Sequence, residues 1–351
     1  MIQVLLVDDS EVSLMVLRNI LESEQDISII GVARDGAEAI RLASRLSPDI
    51  ITMDINMPGL DGFSTTRHIM ENTPVPIIIV SGIDNLEEIQ ASFRAVEAGA
   101  LGVYRKPPAV TDTDFKRASK ELISAIRTYS EVRVVKRRDS GRRGPIETSP
   151  PVPDSKCFLT AKVVVMGAST GGPQAVQEIL KNLPGDFALP IILVQHMSPG
   201  FIEGFASWLQ DSTGIRARVA GNGELVQPGT LYLAPDGKHT GISKDLTIEF
   251  SVSDPEHNLR PSVSYLFRSA AKNCGNHAVG VLLSGMGTDG AKELLDIRKK
   301  GGCTIIQSQE TAFVYGMPGV AASLQAEMYS LSPQEIAVFL SKASGGNGNG
   351  E

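Results

Sequence analysis

A serine in the C-terminal half has the setting of a hydrolase nucleophile. Ser169 lies in Gly167-Ala168-Ser169-Thr170-Gly171, a Gly-x-Ser-x-Gly turn that follows a short valine-rich run. Between a strand and a helix, such a turn presents the serine hydroxyl at the tip of the strand. A hydroxyl becomes a nucleophile when a base takes its proton and an acid orients that base. The turn therefore predicts acyl transfer, provided that a histidine and a carboxylate share its edge of the sheet.

Two other interpretations of this turn stay open on the pattern alone. A plain strand-to-helix turn can carry the same residues. A phosphate-binding loop is the second rival. However, the Lys-Ser or Lys-Thr pair of a P-loop does not follow these glycines, and the Gly-x-Gly-x-x-Gly spacing is absent.

The chain has five histidines, so the search for the base is short. His196 follows an apolar run at 190–195, and we expect it at the carboxyl end of a strand, the same edge as Ser169. Asp289 follows another predicted strand in a glycine-rich turn and is the matching acid. Each also has an ordinary explanation: His196 as a histidine in a loop, and Asp289 as an aspartate that caps the helix beginning at Ala291. Of the remaining histidines, His277 precedes its strand and His68 belongs to the other half of the chain. His239 and His257 lie in loops of unknown position.

Acidic residues and a lysine end three predicted strands of the N-terminal half. Asp8 and Asp9 follow the first strand, Asp54 follows the third, and Lys106 follows the fifth. In a parallel sheet these ends meet at one edge. Close carboxylates repel one another unless a cation binds, and hard oxygen ligands suit Mg²⁺. A lone aspartate at a strand end usually caps a helix, but three of them with a lysine are hard to explain by capping.

Alternating strands and helices position the acidic residues. Five βα units in the N-terminal half predict a doubly wound parallel sheet. The first helix is capped by Ser10 and places Val12, Met15, Val16 and Ile20 on one apolar face. Strands are predicted at 2–7, 27–33, 49–54, 75–81 and 100–105, and the other helices at 37–46, 63–71, 86–98 and 113–128.

The C-terminal half alternates in the same way and predicts a second, three-layer α/β domain with a mostly parallel, doubly wound sheet. Strands are predicted from Lys162 and at 190–195, 278–283 and 303–307, and helices at 174–182, 201–210, 262–272 and 291–300. The fold class is therefore α/β in both halves.

Length and composition exclude several classes of protein. A chain of 351 residues suits two domains, and its 42% hydrophobic and 21% charged residues are typical of a globular protein. The net charge of -7 argues against nucleic acid as the main partner. No apolar run approaches the length of a membrane span and no secretory signal is evident, while the three scattered cysteines fit a reducing compartment. We therefore expect a cytoplasmic protein without membrane insertion.

Residues 127–158 lose the apolar periodicity and combine basic residues with prolines. They predict a charged, extended linker between domains at 1–126 and 159–345. A solvated tether is favoured over a docking site for an acidic partner or for the N-terminal domain itself. The Gly- and Asn-rich residues 346–351 predict a disordered tail.

Residues 1 to about 126 resemble a response-regulator receiver domain, which implies a flavodoxin-like (βα)5 fold. The matching motifs are the Asp8-Asp9 pair, the Asp-x-x-Met-Pro-x-x-Asp-Gly run that begins at Asp54, Ser81 and Lys106-Pro107. The resemblance implies that Asp54 accepts a phosphoryl group from a sensor histidine kinase. Lys106 would pair with that group, and Ser81 would be the hydroxyl that follows it.

The same resemblance implies a magnesium site and an aromatic switch. Asp8, Asp9 and Asp54, with the carbonyl of Asn56, would hold Mg²⁺. Tyr104 has the position of the switching aromatic of receivers, although a plain core aromatic is an equally good interpretation.

The chain order Ser…His…Asp differs from the Ser…Asp…His order of α/β-hydrolases. Residues 160–345 instead resemble the catalytic domain of the CheB-type chemotaxis protein-glutamate methylesterases. The matching segments are Gly-Ala-Ser-Thr-Gly-Gly (167–172), Gln-His-Met (195–197), Leu-Ala-Pro (233–235), Arg-Pro-Ser-Val (260–263), Gly-Met-Gly-Thr-Asp-Gly (285–290) and Tyr-Gly-Met-Pro (315–318). Two positions depart from the family pattern: Ser264 stands where an acidic residue is usual, and Gly319 where a basic one is common.

The resemblance implies an esterase that restores glutamate from its γ-methyl ester on methyl-accepting chemoreceptors and deamidates glutamine there. Ser169 would attack, His196 would carry the proton and Asp289 would orient the imidazole, without a cofactor for the ester step. Backbone N–H groups near Thr170 and Met286 are the oxyanion candidates.

The resemblance also implies that the unphosphorylated receiver packs over the catalytic cleft and that phosphorylation weakens this packing. His239 and Arg260 are candidates to line the cleft. The alternative is a non-catalytic, phosphorylation-controlled interaction module of a two-component pathway.

Overall fold

The computed structural model describes residues 1–82, 86–109, 111–132, 134 and 160–345. These residues fall into two compact units. Most of the predicted linker and the whole predicted tail at 346–351 lie outside the described residues. Within the described part of the chain, no helix has both the length and the apolar character that crossing a bilayer requires.

The N-terminal unit alternates strands with helices. Its elements are β1 (Ile2–Val7), α1 (Glu11–Glu22), β2 (Ile27–Ala33), α2 (Gly36–Leu46), β3 (Ile50–Met53), α3 (Gly62–Asn72), β4 (Ile77–Ser81), α4 (Leu86–Ala98), β5 (Gly102–Arg105) and α5 (Phe115–Ser130). The strands pair in parallel in the order β2-β1-β3-β4-β5. Strands β3 and β4 are buried along their whole length, as expected when helices cover both faces. The predicted doubly wound parallel sheet is confirmed.

The buried face of α1 differs from the predicted one. Its buried residues are Leu14, Leu17, Ile20 and Leu21. Val12 and Met15 are instead 68% and 58% exposed. The helix carries apolar residues on two sides, and both sets satisfy a period of 3.6 residues, so the spacing alone could not choose between them.

Helix α5 ends later than the predicted domain boundary at residue 126. It continues through Ser130, and Tyr129 in its last turn is fully buried. Arg127 pairs with Glu24 and Asp26 at 2.6 and 2.7 Å. Residues 127–130 therefore belong to the helix and not to the predicted linker, because their side chains complete the core and the surface of this unit.

The C-terminal unit is a larger α/β structure. Its elements are β6 (Val163–Ala168), α6 (Gly172–Lys181), β7 (Ile191–Gln195), α7 (Ile202–Thr213), β8 (Arg216–Val219), β9 (Thr230–Leu233), β10 (His239–Ile242), β11 (Ile248–Ser251), α8 (Val263–Asn273), β12 (Ala278–Leu282), α9 (Ala291–Lys299), β13 (Cys303–Gln307), α10 (Met317–Ser323), β14 (Tyr329–Leu331) and α11 (Pro333–Gly345). Seven strands form one sheet in the order β14-β13-β12-β6-β7-β9-β8, and β10 and β11 form a separate antiparallel pair.

The order of this sheet explains where a site can form. Each neighbouring pair in the seven-stranded sheet is parallel. The chain runs outward from β6 in one direction through β7 and in the other through β12. Ligands bind outside the carboxyl ends of such sheets at the point where the strand order reverses. That point lies between β6 and β12.

Candidate functional site

Three strand ends meet at this reversal point. Ala168, the last residue of β6, is paired with Gln195, the last residue of β7. The His196 N–H continues the ladder and donates to the Ala168 carbonyl at 2.9 Å. Ser169 and His196 therefore leave adjacent strands at the same level, and the loop after β12 approaches from the other side of β6.

The main chain holds Ser169 on both sides. Its N–H donates to the Ser284 carbonyl at 3.0 Å, and its carbonyl accepts from the Gly172 N–H at 2.8 Å. Gly171 has φ +76°, and a Cβ there would lie 2.7 Å from the Cβ of Phe313. The turn from strand to helix therefore requires glycine at this position.

His196 contacts Asp289 directly. Its Nε2 lies 3.0 Å from Asp289 Oδ2, and the two side chains are 10% and 2% exposed. Because the imidazole has only two nitrogens, Nδ1 is the one available to a serine. In the serine-protease arrangement the orienting aspartate contacts Nδ1 instead.

Asp289 is saturated with hydrogen-bond donors. Its Oδ1 accepts from Ser262 Oγ at 2.8 Å and from the Ser264 N–H at 2.9 Å, and its Oδ2 accepts from the Val263 N–H at 2.7 Å. Burial by itself raises the pKa of this carboxyl. The hydrogen bond and charge of His196 and the bonds from Ser264 outweigh burial, so the pKa lies well below its ordinary value. Asp289 is therefore a carboxylate at any pH near neutrality.

The two oxyanion candidates border the serine. Thr170 is half-buried two residues before α6 begins, and its carbonyl accepts from Ser284 Oγ at 2.7 Å. Among the described residues, no hydrogen bond from the Thr170 N–H is found. Met286 lies in the loop after β12 with its side chain 45% exposed. Gly285 precedes it, and a Cβ there would lie 2.7 Å from Ser169 Cβ, so this loop passes directly over the nucleophile position.

A second cluster of charged groups lies at the carboxyl edge of the N-terminal sheet. Lys106 Nζ is 2.9 Å from both Asp8 Oδ2 and Asp54 Oδ2. Both carboxylates are buried, while Asp9 beside them is exposed. Ligand atoms of the three aspartates all lie within 4.8 Å of one another. One lysine thus compensates two of three crowded carboxylates.

Burial changes the titration of this cluster. It raises the pKa of Asp54 to about 6, with the nearby Asp8 adding to the rise and Lys106 opposing it. Burial also lowers the pKa of Lys106, but attraction to Asp54 and Asp8 outweighs that effect and raises it above its ordinary value. A cation added to the aspartates would relieve the remaining repulsion.

Sequence comparison agrees with the division into two units. The sequence model of the CheB methylesterase family matches residues 164–340, and that of the response regulator receiver domain matches residues 4–113. The chain belongs to the CheB methylesterase family.

Full-length relatives share this architecture. A protein-glutamate methylesterase/protein-glutamine glutaminase 2 of Methanospirillum hungatei is 66% identical over 345 residues, covering 98% of this chain and 99% of the relative. A protein-glutamate methylesterase/protein-glutamine glutaminase 1 of Syntrophus aciditrophicus is 47% identical over 349 residues, with 98% and 99% covered. The crystal structure of the Thermotoga maritima CheB methylesterase catalytic domain aligns with a TM-score of 0.50 and 36% identity, covering 52% of this chain and 98% of that one.

The other histidines of this CheB-family chain differ from His196 in their burial and contacts. His277 Nδ1 is 2.6 Å from the Thr160 carbonyl, at the opposite end of the sheet. His239 is fully buried, with Nε2 3.1 Å from the Asp254 carbonyl, so the expectation that it lines a cleft is wrong. It belongs to β10, whose residues are all buried. The two remaining histidines are exposed: His68 and His257.

The groups that hold Asp289 had no role in the sequence-based prediction. Ser262 is the N-cap of α8 and its Oγ accepts from the Tyr265 N–H, a cap that the Ser-Val-Ser pattern could have predicted. Ser264, where the family usually has an acidic residue, donates to Glu293 Oε2 at 2.7 Å and accepts from the Gly290 N–H at 2.9 Å. It therefore links the Asp289 loop to α9. Arg260 is exposed and donates to the carbonyls of residues 252 and 253.

The acidic cluster of the receiver fits a magnesium ion. Hard carboxylate oxygens close together, with an exposed side at Asp9, are the donor set that Mg²⁺ takes in proteins. The carboxylate Oδ1 of Asp54 accepts from the Ile55 N–H at 2.8 Å. Asn56, the residue after Ile55, is exposed.

Ser81 and Tyr104 lie on neighbouring strands of the receiver. Ser81, fully buried at the end of β4, donates to Glu88 Oε1 on α4 at 3.0 Å. Tyr104 on β5 is half-buried and packs edge-to-face on Tyr129, with ring centroids 6.3 Å apart. Ser81 is therefore engaged with α4, and the Tyr104 ring is supported by α5.

Proposed function

We propose that this chain is a protein-glutamate methylesterase that hydrolyses glutamate γ-methyl esters on methyl-accepting chemoreceptors and deamidates glutamines there. The observation that carries the proposal is the contact between His196 and a buried, ionised Asp289 beside the Ser169 turn. The names of two relatives that align with nearly the whole chain support the choice of substrate.

Ser169, His196 and Asp289 act as a catalytic triad in this proposal. Asp289 accepts a hydrogen bond from the Nε2–H group of His196. This bond keeps the ring proton on Nε2 and leaves Nδ1 unprotonated as the base. Nδ1 takes the hydroxyl proton as Ser169 Oγ bonds to the γ-carbonyl carbon, and returns that proton to the departing methanol as the carbon–oxygen bond breaks. Water then attacks the acyl-enzyme with the same base, and the products are glutamate and free serine. Glutamine follows the same route with ammonia as the leaving group.

The N–H groups of Thr170 and Met286 stabilise the oxyanion in this scheme. Both border Ser169, one just before α6 begins and one in the loop that passes over it. A single well-placed donor is typically worth a factor of about 10²–10³ in rate. The ester step needs no metal or cofactor in this proposal.

Phosphorylation of Asp54 controls the esterase in this proposal. A sensor histidine kinase is the phosphodonor, and Asp8, Asp9, Asp54 and the Asn56 carbonyl would hold Mg²⁺, which supplies charge compensation for the incoming phosphoryl group. Lys106 is placed to exchange a carboxylate partner for a phosphoryl oxygen. Ser81 and Tyr104 respond by moving away from their present partners.

The protein acts in the cytoplasm in this proposal, on the receptor segments that face it. Nucleic acid is not a partner, because residues 160–351 hold 14 Lys and Arg against 17 Asp and Glu. The non-catalytic interpretation is not favoured, because it leaves the His196–Asp289 contact unexplained.

Methanol release from methylated receptor fragments tests the proposal. Wild type is compared with Ser169→Ala and with Asp54→Asn, each with and without a small phosphodonor and Mg²⁺. We expect release that requires Ser169, rises with the phosphodonor and does not rise in Asp54→Asn. Release that ignores the phosphodonor would refute the regulatory part alone. Release that persists in Ser169→Ala would refute the triad.

A further inference from the structure

A buried amide joins the main chain of the proposed nucleophile to that of the proposed base. Gln195 is 3% exposed at the end of β7. Its Nε2 lies 2.8 Å from the Ser169 carbonyl and 2.9 Å from the His196 carbonyl. Both partners are acceptors, so only the amide nitrogen, with its two hydrogens, can serve them. One side chain thus fixes the backbone of both strand ends.

The bond to Ser169 has a geometric consequence for its neighbour. In a planar trans peptide, the carbonyl of one residue and the N–H of the next point in opposite directions. The Ser169 carbonyl is held inward by two donors, the Gly172 N–H and the Gln195 amide, at 2.8 Å each. The Thr170 N–H of the same peptide is therefore aimed outward, away from Gln195.

Gly172 leaves room for this amide. A Cβ on residue 172 would lie 2.3 Å from Gln195 Oε1, closer than van der Waals contact allows. The same residue begins α6, where alanine would otherwise be the better helix former. The absence of a side chain at 172 is thus explained by the space that the Gln195 amide occupies.

We propose that Gln195 is a positioning residue that aims the Thr170 N–H at the oxyanion and keeps it in register with His196. The inference rests on the proposed function. Without the amide, the Ser169–Thr170 peptide keeps one of its two anchors and can rotate. An oxyanion donor must be fixed before the reaction to be effective, so a loosened N–H stabilises the transition state less without changing how the substrate binds.

The test removes the amide without changing the size of the side chain. Gln195→Met is compared with Thr304→Val, a control that also removes a buried hydrogen bond at nearly unchanged size. Thr304 is fully buried in β13, and its Oγ1 donates to the Ala326 carbonyl at 2.8 Å. Gly172→Ala is the second variant, since it keeps Gln195 and displaces its amide. All three are made in the full chain, and each is checked for folding by its thermal midpoint.

Two rates are measured. The first is kcat and KM for methanol release, and the second is the rate at which a fluorophosphonate labels Ser169, followed by intact mass. We expect Gln195→Met to lower kcat and the labelling rate about 10- to 100-fold, with KM within about threefold, because the donor is loosened but not removed. We expect Gly172→Ala to lower both rates in the same direction and Thr304→Val to stay within about threefold of wild type.

Several results would overturn the inference. One is a Gln195→Met enzyme with wild-type kcat and labelling, and another is a Thr304→Val enzyme whose rates fall as far as those of Gln195→Met. A raised KM at unchanged kcat would make Gln195 a substrate contact, and a shifted acid limb of the pH profile would place its effect on His196. Wild type that labels at Ser169 but releases no methanol refutes the proposed substrate only, since the labelling rates still test Gln195. If wild type neither labels at Ser169 nor releases methanol, both the proposed function and the inference about Gln195 are overturned.

Discussion

Replacing Asp289 with asparagine tests the centre of the proposed site. The carboxylate accepts four hydrogen bonds, from Ser262 Oγ, the N–H groups of Val263 and Ser264, and His196 Nε2. Asparagine offers one accepting oxygen and one amide nitrogen, which donates. If its oxygen keeps the two bonds to Oδ1, its nitrogen faces two donors where Oδ2 stood. His196 must then present an unprotonated Nε2, which places the proton on Nδ1.

That change of tautomer removes the base. With its proton on Nδ1, His196 cannot accept the proton of Ser169. The equivalent substitution in serine proteases lowers kcat by about 10⁴, or about 5.5 kcal/mol at 1.4 kcal/mol per factor of ten. A hydrogen bond to a charged group contributes about 1.5–3 kcal/mol. Two such bonds are lost, and the new tautomer restores one of them, so we expect the free energy of unfolding to fall by about 3 kcal/mol.

The pH dependence of stability gives the same test a sign. The folded-state pKa of Asp289 lies below its unfolded value, so the ionised carboxylate stabilises the fold above about pH 4 and loses this contribution as the pH falls further. Urea unfolding of wild type and Asp289→Asn should therefore differ more at pH 7 than at pH 3. Equal differences at both pH values would contradict the assignment.

Methanol release and urea unfolding are measured on the same preparations. The control is Asp35→Asn, which changes an aspartate that caps α2 in the other unit and should leave kcat unchanged. Asparagine is as good an N-cap as aspartate, so that control should also unfold nearly as wild type does. An Asp289→Asn enzyme within tenfold of wild-type kcat would refute the proposed role of this carboxylate.

Three further predictions follow from other contacts. Lys106→Met leaves two buried carboxylates without their shared cation, so it should lower the free energy of unfolding of the N-terminal unit by about 2 kcal/mol, measured in urea without Mg²⁺. The loss is smaller than for a fully buried pair because the lysine is 24% exposed. A loss below about 0.5 kcal/mol would contradict this prediction. Gly171→Ala forces a left-handed backbone onto alanine and a contact with Phe313, so the thermal midpoint should fall by several degrees, and an unchanged midpoint would show that the turn can adapt. Burial raises the pKa of the Cys274 thiol to about 11, so iodoacetamide at pH 8 should alkylate it in urea but not in the folded protein, as peptide mass mapping would reveal.

The fold was predictable because many of its strands are buried along their whole length. Such strands appear in the sequence as continuous apolar runs, and the turns between them carry glycine or a capping residue. The prediction was wrong for the face of α1, where Leu14 and Leu17 are buried and Val12 is not. When a helix carries apolar residues on two faces, the 3.6-residue spacing does not distinguish the buried face from the exposed one. Only packing against the sheet decides which face is covered.

The candidate site was predictable as far as the ends of strands reach. Ser169 and His196 directly follow paired residues, so their proximity is a consequence of the parallel ladder. Their supporting groups were not predictable, because they come from segments distant in sequence. The amide of Gln195 could have been suspected, since a polar side chain at the end of an otherwise apolar strand needs buried partners. The donors to Asp289 from the start of α8 could not, because no local pattern connects residue 262 with residue 289.

Two alternative interpretations of Asp289, as a helix cap and as the acid that orients His196, are compatible in the structure. A cap for α9 was the ordinary explanation, yet the N-cap of α9 is Gly290, with no side-chain bond. The carboxylate instead accepts from the first N–H groups of α8, at Val263 and Ser264. An anion at a helix N-terminus is stabilised by the helix dipole and by the unpaired N–H groups there. The bonds from the start of α8 therefore add to the larger effect of His196 in keeping Asp289 ionised, and an ionised Asp289 is what the proposed role of His196 requires.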